Sequence, residues 1–404
     1  MVSDEKTMKL LYISRCQFVR REDGIYALPA YGDFYWHKYL DVFDSVHVLG
    51  EPIKKYLNVE ALAKLTDSRV CVDILPENTR PTDWIHDREV KNQLEKHIRA
   101  AQALLIKPST RKGIMAIKLA KKYNKPYMIE MTGDLKLTLS QNPSLAKRLY
   151  GPILHKQTLS AIKDCPFGLY VTEHYLQKVY PIKGEQCGCT DTVILPPDAA
   201  VLDKRLAKIQ NYTPDAVYKI GMVASYHDTR KGLDTALEAL ALLKDLKVEL
   251  HVLGVGTEED RNKWYALAEK HQVKDKLFFD TPLASIEKVL AWNDDMDLII
   301  LPSRSEGLPR CIVESISRAC PCVVSDVCGL PELVDKRWVH APADYTQLAH
   351  LIKTLLTDKT LLSQVANQNF KHAFNYTQEV LTKRRNTFLT RFKKYCEEKT
   401  GISA

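Results

Sequence analysis

Short apolar, β-branched runs alternate along the chain with longer amphipathic stretches, and this rhythm restricts the fold more than any other feature. The amphipathic stretch Gly113–Tyr123, for example, places apolar residues at helical spacing and lysines between them. Strands that alternate with helices predict a parallel α/β sheet. The apolar runs of the first half are Leu10–Ser14, Val46–Leu49, Val70–Leu75, Ala103–Ile106, Tyr127–Met131 and Gly168–Val171.

A second series of the same kind follows a proline-bearing break at Val193–Pro214. Because 404 residues exceed what one hydrophobic core usually supports, we predict two Rossmann-like, doubly wound domains that face a central cleft. We place them at residues 1–200 and 201–375, and we expect residues 376–404 to form a helix that crosses back to the first domain. The runs of the second series are Lys219–Val223, Val248–Leu253, Leu277–Phe279, Leu298–Leu301, Cys322–Ser325 and Trp338–His340.

Composition argues against several classes of protein. No apolar run approaches the roughly 20 residues that span a bilayer. The opening residues Met1–Lys6 carry mixed charge, and the short apolar run after them resembles a strand, so we expect no signal peptide and a cytoplasmic protein. The ten cysteines lie mostly in apparent core segments. The close pair Cys187 and Cys189 lacks the second pair that a structural zinc site needs, so no metal site is predicted.

The net charge of +8 indicates attraction to an anion, which the sign alone leaves open between a nucleotide diphosphate, an anionic membrane surface and nucleic acid. Lysines and arginines are scattered among acidic residues, and no basic block is interleaved with aromatic residues. This pattern disfavours nucleic acid. A solvated basic surface is the stronger explanation of the charge, and a non-enzymatic anion-binding or nucleic-acid-binding protein rests on this charge alone.

The segment Leu301–Glu314 is built like an anion site, because a tight loop follows a buried strand and precedes an apolar helix. Pro309 suits the first turn of that helix, whose free amides would point at a phosphate. The donor-binding candidates in this loop are Gly307, Leu308, Pro309 and Arg310. The carboxylates of Glu306 and Glu314 could accept hydrogen bonds from sugar and ribose hydroxyls. By spacing alone, a loop acid and an exposed helix acid are equally good explanations.

The same segment, PSRSEGLPRCIVE, resembles the signature of glycosyltransferase family 4, in which two glutamates separated by seven residues follow a strand that ends in Pro-Ser. The resemblance continues into Pro321–Asp326 and Gly329–Glu332, and upstream into Ile220–Asp234, which looks like the family's first strand and Lys-Gly loop. It covers most of residues 218–340. It implies a retaining enzyme with the two-domain GT-B fold.

The resemblance also implies roles for individual residues. Glu306 would contact hydroxyls of the donor sugar, Glu314 the nucleotide ribose, and Lys231 the diphosphate. A fixed cation and helix amides would stabilise the charge that the leaving diphosphate gains, so a metal is not required. The family usually has an arginine near Ser225, and its absence here leaves Arg230, Arg304 or Arg310 as substitutes.

The first half carries weaker signals. Gly24 follows the first apolar run, where related enzymes let the backbone approach the phosphates, but a lone glycine in a polar loop is more often just a turn. The stretch Pro126–Asp134 resembles capsular-polysaccharide members of the family, although the usual histidine is missing at Thr132. Asp134 is our candidate for orienting the sugar or the acceptor, with a turn-forming role weighted equally. The aromatic segment Tyr31–Tyr39 is expected to pack into the core rather than to stack on a sugar.

The resemblance therefore predicts a retaining, metal-independent hexosyltransferase that uses a nucleotide-diphosphate sugar and no other cofactor. Its acceptor would be a glycan or lipid-linked hydroxyl in surface polysaccharide synthesis, and the basic surface would suit peripheral contact with the inner face of a membrane. The alternatives of the same fold are a nucleotide-sugar epimerase and a phosphorylase. A dinucleotide oxidoreductase would rest on Gly254 and Gly256, but the third glycine of its fingerprint is lacking. The sequence leaves the nucleotide base, the sugar, the acceptor and the linkage open.

Overall fold

The computed structural model describes residues 7–53, 62–77, 87–142, 144–283 and 285–401; Met1–Lys6, on which the signal-peptide prediction rests, lie outside them. The chain divides into two compact units. Unit 1 comprises Met1–Cys189 together with Thr382–Ala404, and unit 2 comprises Thr190–Leu381.

The strands of unit 1 form one sheet, which among the described residues has nine strands. Seven of them are parallel, in the order β5-β3-β1-β6-β7-β8-β9. The other two form an antiparallel extension, in which β2 pairs with β1 and β4 pairs with β2. This is the doubly wound, Rossmann-like arrangement that the sequence predicts. The strands are β1 Lys9–Arg21, β2 Gly24–Ala27, β3 Ser45–Pro52, β4 Ala63–Lys64, β5 Val70–Ile74, β6 Ala103–Ile106, β7 Tyr127–Met131, β8 Phe167–Tyr170 and β9 Glu185–Gly188.

Helices pack against this sheet, and strands such as β6 and β7 are buried at every position. A strand that is covered on both faces has no solvent side, which is why Ala103–Ile106 is a continuous apolar run. The helices are α1 Asp33–Leu40, α2 Asp87–Ala100, α3 Arg111–Lys122, α4 Leu135–Ser140, α5 Leu145–Ile162 and α6 Tyr175–Val179.

Gly24 occupies a different place from the one expected. The first strand does not end at Ser14 but continues to Arg21, and Gly24 pairs with Arg21 as the first residue of β2 in a tight hairpin. Its φ of +146° suits glycine at that turn. Gly24 therefore lies beyond the parallel part of β1, which pairs with β6 from Leu10 to Ile13 and with β3 as far as Phe18. It does not lie in a loop directly after Ser14, and the turn weighed as its alternative explanation is present.

Unit 2 is a second doubly wound sheet, with all its described strands parallel in the order β12-β11-β10-β13-β14-β15. The strand order reverses between β10 and β13, and ligands of such sheets bind outside the carboxyl ends of the strands at this reversal. Its strands are β10 Tyr218–Val223, β11 Val248–Leu253, β12 Leu277–Asp280, β13 Leu298–Leu301, β14 Cys322–Ser325 and β15 Val339–His340. Its helices are α7 Ala199–Gln210, α8 Leu233–Leu242, α9 Glu258–Lys270, α10 Ile286–Asp295, α11 Arg310–Ser317, α12 Tyr345–Thr357 and α13 Lys359–Ala373.

The unit boundaries lie at residues 189/190 and 381/382, whereas the sequence suggested 200/201 and 375/376. Helix α7 belongs to unit 2 because its buried Arg205 donates to the carbonyl of Asn293, 2.8 Å away. The last helix, α14 (Gln378–Thr400), belongs to unit 1 from Thr382 onward. There its fully buried Phe388 and Phe392 pack against Phe167, with ring centroids 5.7 and 5.4 Å away.

Candidate functional site

Two loops meet at the carboxyl ends of β10 and β13 in unit 2. The loop after β10 supplies Lys231 and the loop after β13 supplies Glu306, and the Lys231 Nζ lies 2.7 Å from the Glu306 Oε1. This is the point at which the strand order of the sheet reverses. The structure thus joins two residues that the sequence singled out separately, 75 positions apart.

Gly232 allows the two loops to come together. It follows a short 3₁₀ turn, Thr229–Lys231, and has a φ of +78°, which favours glycine. A Cβ atom at this position would lie 2.0 Å from the carbonyl oxygen of Pro302. Any side chain there would push the lysine-bearing turn away from the glutamate-bearing loop.

The Glu306 carboxylate is held from two sides. Its Oε1 accepts hydrogen bonds from Lys231 Nζ and from the Ser303 hydroxyl, 2.6 Å away. The side chain of Glu306 is 9% exposed. Among the described residues no other hydrogen bond of this carboxylate is found, so Oε2 can accept one from a ligand hydroxyl.

Lys231 is a cation at neutral pH. Burial acts to lower its pKa, but the charge of Glu306 and its hydrogen bond act in the opposite direction, and the pKa is raised above its usual value of 10.5. A partly desolvated ammonium group in a fixed position can stabilise negative charge on a bound phosphate.

Glu314 is the fifth residue of α11, one turn into the helix as expected, and is only 7% exposed. Burial raises the pKa of its carboxyl group from 4.5 to about 7, and the nearby charge of Arg310 offsets only part of this effect. No hydrogen bond or ion pair of this side chain is found among the described residues. A buried acid without a partner is costly and is a frequent mark of a functional site.

Helix α11 begins without a side-chain cap from its N-cap residue. That residue is Pro309, which is not in the first turn because its ψ of 125° is extended, and it makes no side-chain cap hydrogen bond. Uncapped amides at a helix N-terminus attract anions. The loop before them is fixed by neighbours: the Gly329 amide donates to the Gly307 carbonyl (3.0 Å) and the Ser325 hydroxyl to the Ser303 carbonyl (2.5 Å). Leu308 is half-buried in the same loop.

Two of the three arginines proposed as substitutes are engaged with acids. Arg230 binds both carboxylate oxygens of Asp228 (2.9 and 2.8 Å), and Arg304 binds both oxygens of Asp234 (2.9 and 2.7 Å). Arg310 is exposed. Ser225 begins the turn, and its carbonyl accepts the Asp228 amide. In the described part of the chain its side chain contacts neither Lys231 nor Glu306.

Gly254 and Gly256 have a packing role. A Cβ at Gly254 would lie 1.9 Å from the Ala224 carbonyl, and one at Gly256 would lie 2.6 Å from the Cβ of Tyr226. The two glycines therefore let the loop after β11 pack against the loop after β10. This accounts for them without a dinucleotide.

Asp134 has a structural explanation in unit 1. It is the N-cap of α4, where its Oδ1 accepts the Leu137 amide at 3.2 Å, and the hydroxyls of Tyr175 and Tyr180 donate to its two oxygens at 2.8 and 3.1 Å. The turn-forming role weighed for it is thus present. These contacts account for its burial without a ligand.

A cavity of about 280 Å³ lies at the carboxyl ends of β6 and β7, beside the part of β1 that follows its pairing with β6. Next to it, the buried Glu130 accepts hydrogen bonds from the hydroxyls of Tyr12 (2.9 Å) and Tyr39 (3.1 Å), with Lys107 Nζ 3.7 Å away. Burial and the Glu130 charge raise the pKa of Tyr12 well above its usual range. The cavity is lined by Ser14, Arg15, Cys16, Tyr31, Lys107, Ser109, Thr110, Thr132, Gly133, Leu135 and Thr138.

The sequence analysis did not single out Glu130 and Lys107, although the position of each in the sequence indicates a special role. Glu130 is an acid inside an otherwise apolar strand, and Lys107 directly follows another. The aromatic segment Tyr31–Tyr39 packs into the core as expected, with Trp36 and Tyr39 fully buried.

Comparison with known proteins shows what this chain is similar to. Residues 204–372 match the family described as Glycosyl transferases group 1. Over 391 residues the chain is 25% identical to Protein CapJ of Staphylococcus aureus, covering 96% of both. It is 31% identical over 169 residues to the putative colanic acid biosynthesis glycosyltransferase WcaL of Escherichia coli (strain K12), covering 38% of this chain and 40% of that protein. A solved structure of Anabaena HepE with UDP-glucose shares the fold, with a TM-score of 0.62 at 14% identity over 95% of this chain and 100% of HepE.

Proposed function

We propose that the chain is a group 1 glycosyl transferase with the GT-B fold and that it moves a sugar, with retention of configuration, from a nucleotide-diphosphate sugar to a hydroxyl group of a glycan or lipid-linked acceptor. Its role is in the synthesis of surface polysaccharide, as in the relative WcaL, which is named for colanic acid biosynthesis. HepE, which shares the fold, binds UDP-glucose.

The observation that carries this proposal is the Lys231–Glu306 ion pair at the reversal point of the unit 2 sheet. A diphosphate needs a cation and amide donors, and Lys231 and the uncapped start of α11 supply both. A sugar needs carboxylate acceptors for its hydroxyls, and Glu306 supplies one next to the cation. We assign Glu314 to the hydroxyls of the nucleotide ribose.

The proposed reaction needs no protein base and no metal. The acceptor oxygen bonds to the anomeric carbon on the face from which the diphosphate departs, and the bond between that carbon and the phosphate oxygen breaks. The acceptor proton passes to the departing phosphate oxygen. Lys231 stabilises the charge that gathers on the diphosphate, so this interaction is stronger in the transition state than in the ground state.

We assign the acceptor to the unit 1 cavity. Its lining combines two cationic side chains, Arg15 and Lys107, with hydroxyl and backbone groups that can bind sugars. Asp134 then acts as a positioning residue, because it caps α4, the helix that contributes Leu135 and Thr138 to the lining.

We also propose peripheral contact with the inner face of a membrane. No helix in the described parts of the chain is both long enough and apolar enough to cross a bilayer. The α5 face formed by Leu145, Leu149 and Ile153 is nevertheless 59%, 67% and 54% exposed. The exposed Lys147, Arg148 and Lys156 lie on the same helix. Exposed apolar side chains beside basic ones suit an anionic lipid surface.

The donor site is tested by measuring thermal stabilisation by UDP-, GDP- and dTDP-sugars, with release of the nucleoside diphosphate followed in parallel. We expect one nucleotide class to stabilise the wild type, with and without EDTA, and to stabilise Glu314→Ala much less. Release that continues in EDTA would support the metal-independent reaction. Failure of every nucleotide sugar to stabilise the protein at millimolar concentration, together with no release, would contradict the assignment.

A further inference from the structure

Three side chains from separate elements converge on one edge of the unit 1 sheet. His47 lies on β3, Asp73 on the edge strand β5, and His97 on α2. The Asp73 Oδ2 is 2.8 Å from His47 Nε2 and 3.5 Å from His97 Nε2. All three ligand atoms lie within 4.8 Å of one another.

The fold holds these side chains in place. β3 and β5 pair in parallel with His47 opposite Cys71, and because alternate residues of a strand share a face, Asp73 projects on the same side as Cys71. Helix α2 buries Val90, Leu94 and Ile98, and His97 lies beside this apolar face at 15% exposure. Each donor therefore stands on a strand or helix rather than on a loop, which favours a preorganised site.

We propose that His47, Asp73 and His97 bind a divalent transition-metal ion of the Zn²⁺ class. Two imidazoles and one carboxylate form a donor set that suits zinc and its neighbours, whereas Mg²⁺ and Ca²⁺ prefer oxygen ligands alone. Ligands around tetrahedral zinc, with bonds of about 2.0–2.1 Å, stand roughly 3.4 Å apart. The separations of 2.8 and 3.5 Å are close to this value.

The surroundings leave room for the ion to arrive and for a fourth ligand. The Asp73 side chain is 47% exposed and Cys71 is exposed next to it, so the cluster opens to solvent. The ion would join the edge strand, its neighbour and α2, which lie far apart in the sequence. Its role is to stabilise unit 1, and it is separate from the donor residues, which all lie in unit 2.

His251 is a histidine that contacts two acids without forming a metal site, and it serves for comparison. It also contacts two acids, but its Nε2 faces Glu249 and its Nδ1 faces Asp280, each at 3.2 Å. Its two nitrogens point in different directions, so the three residues cannot share one ion. His251 is therefore a matched control: it lies on β11, between β10 and β12 in the other sheet, and its side chain is 15% exposed, as is that of His97.

The test uses the full chain, stripped of metal with a chelator and titrated with Zn²⁺ in a calorimeter. We expect one ion per chain at this site, at least about tenfold weaker affinity in His97→Gln and in Asp73→Asn, and wild-type affinity in His251→Gln. Thermal midpoints of the stripped variants, compared with that of the stripped wild type, verify that each one folds.

Zn²⁺ should also raise the thermal midpoint of the wild type, and this rise should be lost in His97→Gln and kept in His251→Gln. Zn²⁺ affinity that is unchanged in both His97→Gln and Asp73→Asn would overturn the proposal. A wild type that binds no Zn²⁺ at 100 µM, which is roughly a hundred times a micromolar Kd, would overturn it as well.

Discussion

Glu314 is an acid whose burial disfavours its charged form, and this makes the stability of the protein depend on pH. Because the pKa is raised from 4.5 to about 7, the folded state holds the proton more tightly than the unfolded chain does. The free energy of unfolding therefore falls as the pH rises from about 4.5 to 7. Above pH 7 the folded state bears the full cost of burying the ionised carboxylate. A shift of this size corresponds to roughly 3 kcal/mol.

The substitution Glu314→Gln removes this charge but keeps the shape of the side chain. We expect it to raise the free energy of unfolding by about 1–3 kcal/mol at pH 8 and to have little effect at pH 4.5, where the folded carboxyl is protonated and only about half of the unfolded carboxyls are ionised. Thermal or urea unfolding at the two pH values measures the difference. Glu269→Gln is the control, because Glu269 is 69% exposed. An equal change at both pH values would contradict the role given to burial.

For individual residues, the site candidates were easier to identify from the sequence than the contacts that they make. Glu306 and Lys231 were both identifiable from local patterns, but their 2.7 Å contact depends on how two loops far apart in sequence meet. Asp134 shows the opposite case: a helix cap and a ligand-binding acid have the same local sequence, and only the two tyrosine hydroxyls from residues 175 and 180 reveal the structural role.

Among elements, the turn Thr229–Lys231 matters most for the donor site because it carries Lys231. We expect Gly232→Ala to destabilise the protein by about 1–3 kcal/mol, since a Cβ there has an unfavourable φ and meets the Pro302 carbonyl. The release of nucleoside diphosphate should fall at least about tenfold, because displacing the turn separates Lys231 from Glu306.

Unfolding and steady-state kinetics of purified Gly232→Ala test this expectation. Gly133→Ala is the control for stability, because a Cβ at Gly133 meets nothing within 4 Å. A Gly232→Ala variant as stable and as active as the wild type would show that the close approach of the two loops is not needed.

The elements themselves were largely predictable. Ala103–Ile106, Tyr127–Met131, Val248–Leu253, Leu298–Leu301 and Cys322–Ser325 are strands with the predicted bounds. Four of them are buried at every position and mostly apolar, as parallel strands covered on both faces are. The fifth, Val248–Leu253, has half-buried Glu249 and His251 between its apolar residues. The extension of β1 to Arg21 was missed, although buried Cys16 and Phe18 alternate with more exposed neighbours there. An alternating pattern is a weaker signal than an apolar run when arginines interrupt it.

For the whole molecule, the net charge of +8 and the exposed face of α5 together predict membrane contact. We expect the wild type to float with anionic vesicles at low salt and Leu149→Glu to lose most of this association, because a charge replaces apolar surface at the lipid contact. The thermal midpoint should stay unchanged, since Leu149 is 67% exposed.

Val217→Glu provides the control, because Val217 is 51% exposed but lies in unit 2. Association that is equal in Leu149→Glu and the wild type, or no flotation of the wild type, would rule out this surface. Higher salt should weaken the association, because the basic residues act through screened charges.

The two-unit organisation was predictable from the repeated rhythm, but the boundaries were not. The proline-bearing break at residues 193–214 spans the start of α7, and the side of the boundary to which this helix belongs depends on the buried contacts of Arg205. Likewise, the position of the second boundary, at Thr382 within α14, depends on the packing of Phe388 and Phe392, which a local pattern does not reveal.

The central claim, that Lys231 binds the diphosphate of a nucleotide sugar, is tested most directly by calorimetric titration of the stabilising nucleotide sugar into wild type, Lys231→Met and Lys219→Met. Lys219 is the control, because its Nζ lies 2.7 Å from the Asp295 carboxylate and not in either of the two loops. We predict that affinity falls about 10- to 100-fold in Lys231→Met, as for the loss of a charged hydrogen bond, and stays at the wild-type value in Lys219→Met. A folded Lys231→Met protein that binds the nucleotide sugar as tightly as the wild type would contradict the account.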